Sequence, residues 1–304
     1  MPWVLLVCVT GGCPDPASYA GSVPAWTKPT ATSAGVLRPE QLARYATLER
    51  WEPDPDIAPW VEQVWSIRWE LPPGVSFASQ TLPHPAISLT VERGAGRRPE
   101  VGADPVVLTG VVTRRFDVDL HDDSWVVGLK FRPGGLVALV GGRAADWRDR
   151  TLPARSVVGA PIADALTGVD PGGDPASWRA AAQDAVRLME PRTDERYELL
   201  LEIVADMLGD PDLVTVAEVE RRHGVSGRSL QRLFATYVGV SPKWVLGRYR
   251  MHDLLAALDS GSPETLTDLA HRFGWYDQAH FTRDFVRLVG VRPGDYRSRR
   301  QSTQ

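Results

Sequence analysis

Cysteine is scarce in this chain of 304 residues, which holds only Cys8 and Cys13. Two cysteines cannot build a disulfide framework or a zinc site made of cysteine thiolates. Long apolar runs are lacking as well, because the run from Val4 to Val9 is too short to span a bilayer and has no basic segment before it. We therefore predict no signal peptide, no membrane segment and a cytoplasmic location.

The short motifs that mark common enzyme sites are also missing. The sequence has no G-x-S-x-G, no P-loop, no G-x-G-x-x-G after a strand and no H-E-x-x-H. His84, between two prolines, is a candidate pocket residue or metal ligand, but a lone histidine there is usually structural, since a metal site needs three or four converging ligands. His121, beside Asp122 and Asp123, is expected at a solvated hairpin turn. We predict no catalytic residue, no metal and no cofactor.

Strong charge of one sign is absent, and the net charge of −4 argues against a chain that is nucleic-acid-binding throughout. The average hides a difference between the two ends. Residues 209–304 hold 14 Lys and Arg against 11 Asp and Glu, whereas the whole chain holds 34 against 38. A mildly basic end on an acidic body gives weak support for one nucleic-acid-facing module.

The region from about Trp51 to Phe131 alternates between apolar and polar residues. The clearest stripe consists of Trp65, Ile67, Trp69 and Leu71. Strict alternation, broken by turn residues such as Pro72-Pro73-Gly74, predicts an antiparallel sheet, a sandwich or a small barrel. The tryptophan stripe is interpreted first as core and second as an aromatic ligand box. Arg132, after the last strand, is interpreted first as structural and second as a contact for an anionic effector.

The pattern predicts an α+β protein in four parts. Residues 1–35 look like a disordered tail or an over-long start of the reading frame, and residues 36–172 like a β-rich sensor or dimerisation domain. Residues 173–209 form two linker helices, the first capped by Asp174 before Pro175 and the second starting near Asp194. These two helices are interpreted either as a hairpin packed on the sheet or as a dimer interface. Residues 210–304 form an all-α domain.

The all-α domain contains a repeat, in which Thr215 to Trp244 aligns with Thr265 to Tyr296. Each copy starts with a capping-box pattern, Thr215-x-x-Glu218 or Thr265-x-x-Asp268. Gly224 and Gly274 then stand at matched positions, where a turn between helices favours positive φ. The repeat therefore predicts two helix-turn-helix units.

The second helix of each unit has one apolar and one polar face. Leu230 and Phe234 in the first unit, like Phe281 and Phe285 in the second, lie four residues apart and predict a buried face. The opposite faces carry residue types that bond base edges and phosphates in a major groove. These residues are Arg228, Gln231, Arg232, Gln278, Thr282 and Arg283. A connecting helix, expected from Lys243 to Leu258, would let both second helices enter successive major grooves about 34 Å apart.

Residues from about 212 to 297 resemble the DNA-binding domain of the AraC family of bacterial transcription regulators. The resemblance rests on both units: Ser226-x-x-x-Leu230-Gln231-Arg232-Leu233-Phe234, Gly239-x-Ser241-Pro242, Gly274, Phe281-x-Arg283-x-Phe285, Gly290 and Pro293 to Tyr296. It implies that the DNA-contacting residues are Arg228, Gln231, Arg232, Gln278, Ala279, Thr282 and Arg283. One departure is Glu220, where the family has a small residue such as the matched Ala270. Glu220 predicts looser packing or a shifted turn in the first unit.

Two upstream segments, LPHPAISLTVE and VGLKFRPGGLVALVGG, resemble a subgroup with an uncharacterised N-terminal domain. The wider family implies a cupin-like barrel that binds an effector or dimerises. It further implies double-stranded DNA, a small-molecule effector, a second copy of the chain and RNA polymerase as partners. Some relatives transfer alkyl groups onto a reactive cysteine, but here both cysteines lie in residues 1–35.

The predicted function is therefore a sequence-specific DNA-binding transcription regulator under allosteric control. Two alternatives from other classes stay open. One is an N-terminal enzyme tethered to DNA by the helix-turn-helix pair, which predicts turnover of a ligand. The other is a protein-interaction module, which predicts no salt-sensitive DNA binding.

Overall fold

A computed structural model describes residues 35–94, 101–192, 194–210 and 212–301. The tail expected over residues 1–35 lies outside these residues except for Gly35. The predicted α+β class is confirmed, since strands dominate the N-terminal half and helices the C-terminal half. None of the helices in the described ranges is long and apolar enough to cross a membrane.

Within the described ranges, the N-terminal half starts with one short helix, and eight strands follow. The elements are α1 (Pro39–Leu42), β1 (Ala46–Trp51), β2 (Val61–Glu70), β3 (Ser76–Thr81), β4 (Ser88–Gly94), β5 (Val106–Thr109), β6 (Phe116–His121), β7 (Asp123–Phe131) and β8 (Thr151–Pro153). Six strands form one antiparallel sheet in the order β1-β2-β7-β4-β5-β8, and β3 pairs with β6 in a separate ribbon.

The two faces of the large sheet have different surroundings. On one face, residues such as Leu89 and Leu129 join a core that helices cover. On the other face, residues such as Thr90 and Val126 point into a cavity between the sheet and the β3–β6 ribbon. Alternate residues of the strands thus lie on opposite faces of the sheet, as the sequence predicted. The face opposite the core borders a cavity instead of bulk solvent.

Eleven further helices follow or interrupt the sheet in the described residues. They are α2 (Gly135–Val140), α3 (Arg155–Val158), α4 (Ala160–Thr167), α5 (Pro175–Arg187), α6 (Glu195–Gly209), α7 (Val216–His223), α8 (Gly227–Tyr237), α9 (Pro242–Asp259), α10 (Leu266–Arg272), α11 (Gln278–Val289) and α12 (Pro293–Gln301). The predicted start of α5 is confirmed, because the Asp174 carboxylate accepts a hydrogen bond from the Ser177 backbone N–H at 3.0 Å.

Helices α5 and α6 pack on the sheet domain. Trp178 of α5 meets Trp51 of β1 edge-to-face, with ring centroids 5.2 Å apart. The Tyr197 hydroxyl of α6 donates to the Pro59 carbonyl at 2.7 Å. Both linker helices therefore contact the sheet domain, and a dimer interface formed by them stays a prediction.

The hydrophobic cores do not follow the predicted boundary between linker and DNA-binding domain. One core is shared by the helix-covered face of the sheet, α5, α6 and the first helix-turn-helix unit. It includes Leu230 and Phe234. The second unit builds its own core around Phe281 and Phe285. Helix α9 joins them, because Val245, Leu246 and Tyr249 belong to the first core and Met251, Leu254, Leu255 and Leu258 to the second.

Candidate nucleic-acid interface and ligand cavity

The first helix-turn-helix unit consists of α7 and α8. The Thr215–Glu218 capping box starts α7, and Gly224 ends it with φ +62°. The Ser226 hydroxyl accepts a hydrogen bond from the Ser229 backbone N–H and starts α8. These features confirm the turn chemistry predicted from the sequence.

The second unit repeats this plan with α10 and α11. A Thr265–Asp268 capping box starts α10, and Gly274 has φ +77° in the turn. The Asp277 carboxylate caps α11 by accepting from the His280 backbone N–H at 2.6 Å. Because Asp277 matches Ser226 in the repeat, both recognition helices start at equivalent positions.

The inner faces of α8 and α11 hold these helices against the protein. Leu230, Phe234, Phe281 and Phe285 are all fully buried. Phe281 and Phe285 also meet edge-to-face, with centroids 5.6 Å apart. Burial of one apolar face fixes which side of each helix faces outward.

The predicted DNA-contacting residues lie on the outward faces. Arg228, Gln231, Arg232, Gln278, Ala279 and Arg283 are exposed, and Thr282 is half-buried. Within the described ranges, Arg228, Arg232 and Arg283 make no ion pair or hydrogen bond with another residue. Other arginines of the domain are paired, such as Arg222 with Asp210 at 2.6 Å and Arg272 with Glu264 at 2.7 Å. The recognition helices thus present guanidinium groups that are not committed to the fold.

The shifted turn predicted from Glu220 is not found. The Val225 backbone N–H donates to the Glu220 carbonyl, and Trp275 donates to the matched Ala270 carbonyl in the second unit. The Glu220 side chain instead reaches Gly227 at the start of α8, where an added Cβ would stand 2.6 Å from its Oε1. The large residue is accommodated because Gly227 has no side chain, and its negative charge lies near a helix N-terminus, where it is favoured.

Tyr276 is a surface feature that the sequence analysis missed. It is 88% exposed and lies in the turn just before α11. An aromatic side chain in an otherwise polar turn was a signal available in the sequence. Its position beside the exposed residues of α11 makes it a further candidate contact for DNA.

A cavity of about 270 Å³ lies between the large sheet and the β3–β6 ribbon. Trp65, Ile67 and Trp69 line it, so the tryptophan stripe borders this space. Its charged lining residues are Arg50, Glu92, Arg93 and Lys130. Ligand pockets in proteins occupy roughly 300–1,000 Å³, and this cavity is slightly smaller than that range.

His84 lines the same cavity and contacts the helical half of the protein. Its imidazole stacks on His252 of α9, with ring centroids 3.9 Å apart and an interplanar angle of 9°. The two side chains are 8% and 2% exposed. Burial keeps the pKa of His84 well below its usual value, and burial lowers the pKa of His252 to about 3. Both rings are therefore neutral near pH 7.

Arg248 lies one turn before His252 on α9 and is also buried. It donates to the Pro83 carbonyl at 3.1 Å and to the Thr113 carbonyl at 2.8 Å, and it stacks over Trp244. Burial lowers the pKa of its guanidinium to about 9. The middle of the connecting helix is thus held by the segment that carries His84.

The remaining sequence candidates are separate from this cavity. Arg132 is buried and donates to the Ala58 carbonyl at 2.6 Å, in agreement with the structural interpretation. His121 ends β6 at the turn into β7, and Asp122 has φ 52° there, which confirms the predicted hairpin turn. No group of three or more His, Cys, Asp or Glu that could hold a metal is found where the structure is described.

Comparison with known proteins agrees with this geometry. Residues 219–299 match the family model of a helix-turn-helix domain, and residues 49–153 match a domain of unknown function, DUF6597. The transcriptional activator RhaR of Yersinia pestis is 30% identical over 105 residues, or 34% of this chain and 35% of RhaR. A "Putative AraC-like transcription regulator" of Streptomyces antibioticus is 35% identical over 83 residues, or 27% of each chain.

The C-terminal domain is thus similar to the helix-turn-helix domains of AraC-like regulators. The matched part spans about a third of the length of the curated relatives. ToxT of Vibrio cholerae aligns in structure with 83% of this chain and 97% of its own, at a TM-score of 0.36 and 10% identity. Similarity at that level is too low to support a functional inference.

Proposed function

We propose that this protein is a sequence-specific DNA-binding transcription regulator whose helices α8 and α11 enter successive major grooves. The observation that carries the proposal is the pair of outward faces with uncommitted arginines, one on each helix-turn-helix unit. Unpaired guanidinium groups on exposed helices attract phosphates, and they match the acceptor pair of guanine in the major groove.

The residue types on the two helices suggest which part of the DNA each side chain would contact. Arg228, Arg232 and Arg283 would contact guanine or phosphate. Gln231 and Gln278 would reach adenine, whose major-groove edge suits a side-chain amide. Ala279 and Thr282 would lie against a thymine methyl group. Phosphate contacts supply affinity, and base contacts supply sequence choice.

The N-terminal domain acts in this proposal as a sensor. Its cavity reaches His84, and His84 stacks on the helix that joins the two DNA-reading units. A ligand that favours one arrangement of this contact would change the affinity for DNA, by the thermodynamic coupling of two sites. A homodimer and contact with RNA polymerase complete the proposal and rest on the family resemblance alone. The proposed cytoplasmic location rests on the sequence, in which we predict no signal peptide and no membrane segment.

Selection from a random double-stranded DNA library by the full-length chain, at two salt concentrations, tests this proposal. We expect an enriched motif with two half-elements about 10 base pairs apart and an affinity that falls steeply with salt. Failure to enrich any motif, together with salt-insensitive behaviour, would favour the protein-interaction alternative. Turnover of a bound compound would favour the tethered enzyme.

A further inference from the structure

One polar group in the cavity is not explained by the fold. Among the described residues, neither ring nitrogen of His84 has a hydrogen-bond partner, although the side chain is buried. Buried polar atoms are nearly always paired, and leaving one unpaired costs free energy. A neutral imidazole carries one donor and one acceptor, so His84 has one of each left unsatisfied in the wall of the cavity.

Positive charge surrounds this histidine. Lys130, Arg248 and Arg50 all lower the pKa of His84, after burial and the neighbouring His252. Lys130 is paired with Glu62 at 2.7 Å, whereas Arg248 donates to two neutral carbonyls. A negative group near His84 would therefore be favoured electrostatically by the two arginines.

The charged lining taken as a whole has the same sign. Arg50, Arg93 and Lys130 line the cavity, against Glu92 as the single carboxylate among the described lining residues. Glu92 accepts a hydrogen bond from the Thr90 hydroxyl at 2.8 Å. The excess is positive, although Glu92 reduces it.

The apolar part of the lining comes from two sides. Trp65, Ile67 and Trp69 belong to β2, and Phe116 and Val118 belong to β6 in the facing ribbon. Flat aromatic and branched aliphatic side chains bind an apolar body through contact area and exclusion of water. The cavity thus combines an apolar lining with a neutral histidine that has positively charged neighbours.

We infer that the cavity binds a small organic acid, whose carboxylate accepts a hydrogen bond from His84 and whose apolar body lies against the Trp65–Trp69 stripe. This inference rests on the proposed sensing function and specifies its ligand class. It also gives a route to the DNA-binding half, because the carboxylate would contact a ring that is stacked on His252 of α9. The adjoining Pro83 carbonyl holds Arg248 on the same helix.

Matched pairs of acids and their uncharged amides test the inference on the full-length protein. The probes are 2-naphthoate with 2-naphthamide, indole-3-acetate with indole-3-acetamide, and octanoate with octanamide, measured by equilibrium dialysis and tryptophan fluorescence. We expect at least one acid to bind about tenfold tighter than its amide, because a charge-assisted hydrogen bond is replaced by a neutral one. Equal binding of acid and amide in every pair, or no binding of any probe, would overturn the inference.

Two substitutions with opposite expected effects locate the carboxylate. His84→Phe keeps an aromatic ring on His252 and should weaken the acid about tenfold and the amide by less, because the amide loses only a neutral hydrogen bond. Glu92→Gln removes the negative lining charge and should tighten the acid several-fold. Glu92→Gln still decides the matter if His84→Phe does not fold, and His121→Phe, at the β6–β7 turn, is the matched control. Unchanged acid affinity in Glu92→Gln and in folded His84→Phe would contradict the placement.

DNA binding without any probe, measured on the same preparations, separates the two proposals. If the protein binds DNA in a salt-sensitive way but shows no preference for acids, the proposed ligand class is wrong and the proposal of a DNA-binding regulator is kept. If the protein prefers acids but does not bind DNA, the proposal of a DNA-binding regulator is wrong and the proposed ligand class of the cavity is kept.

Discussion

The imidazole of His84 lies flat on the imidazole of His252, with the ring centroids 3.9 Å apart. His84 belongs to the cavity of the β domain, and His252 lies in the middle of α9. The stack therefore joins the cavity lining to the helix that contributes to the cores of both helix-turn-helix units. Changes at this contact are expected to affect the stability of the protein as a function of pH.

Replacement of His252 by Phe should reduce acid destabilisation. Burial holds the pKa of His252 at about 3 and that of His84 well below 6.5, so between about pH 3 and 6.5 the unfolded chain binds more protons than the folded chain. The free energy of unfolding then falls as pH falls, by up to about 1.4 kcal/mol per pH unit for each group. We expect His252→Phe to remove about one such contribution in urea unfolding between pH 4 and 6.

Asp253 acts in the opposite direction in part of this range. Burial raises the pKa of its carboxyl to about 6, so the folded chain keeps a proton that the unfolded chain releases between about pH 4 and 6. Its contribution to stability is lost as pH rises through this window. The comparison is therefore between variant and wild type at each pH, with His121→Phe as control. An identical pH slope in His252→Phe and wild type would contradict the account.

A methyl group at Gly128 should push a tryptophan into the cavity. Gly128 of β7 pairs in register with Trp65 of β2, and an added Cβ would clash with the Trp65 indole. We expect Gly128→Ala to cost about 1–3 kcal/mol in the free energy of unfolding, because the ring must leave its site. Gly168→Ala is the control, since its added Cβ meets the Ala165 carbonyl oxygen at an ordinary 3.4 Å. Equal stability of both variants in denaturant would show that the indole does not lie across Gly128.

Glu220 and Gly227 should be energetically coupled. In the first unit, a long side chain at Glu220 lies beside Gly227, which has no side chain. In the second unit the matched residues are Ala270, which is small, and Gln278, which is long. Because the Glu220 carboxylate occupies the space beside Gly227, we expect Gly227→Gln to be more favourable in an Glu220→Ala background. The expected coupling is about 0.5–1 kcal/mol, measured by urea unfolding of the four chains of a double-mutant cycle. An additive cycle would show that the two residues are independent.

The helix-turn-helix geometry could be predicted from the sequence because interactions between residues close together in the chain specify it. The Thr215 and Thr265 capping boxes and the positive φ at Gly224 and Gly274 are short-range features that the structure confirms. The predicted connecting helix, Lys243 to Leu258, differs from the observed Pro242–Asp259 by one residue at each end. The alternation of the strands likewise indicated their two faces.

Contacts between distant segments could not be predicted in this way. The burial of Arg248 and His252 on α9 depends on Pro83, Thr113 and His84, which lie far away along the chain. The shared core of the sheet domain and the first unit has the same origin. The shifted turn expected from Glu220 is not found because Gly227 has no side chain, which is a relation between two positions and not a property of one.

The central claim is that each helix-turn-helix unit reads its own half of a DNA site through a free arginine. The most direct measurement is the affinity of wild type, Arg232→Ala and Arg283→Ala for the selected site and for versions with one half-element altered. We expect each variant to lose about 1–3 kcal/mol on the intact site and to become indifferent to one half-element, a different one for each. The ion-paired Arg272→Ala is the control and should keep both preferences. If both variants retain full preference for both halves, the assignment of α8 and α11 as the reading helices is wrong.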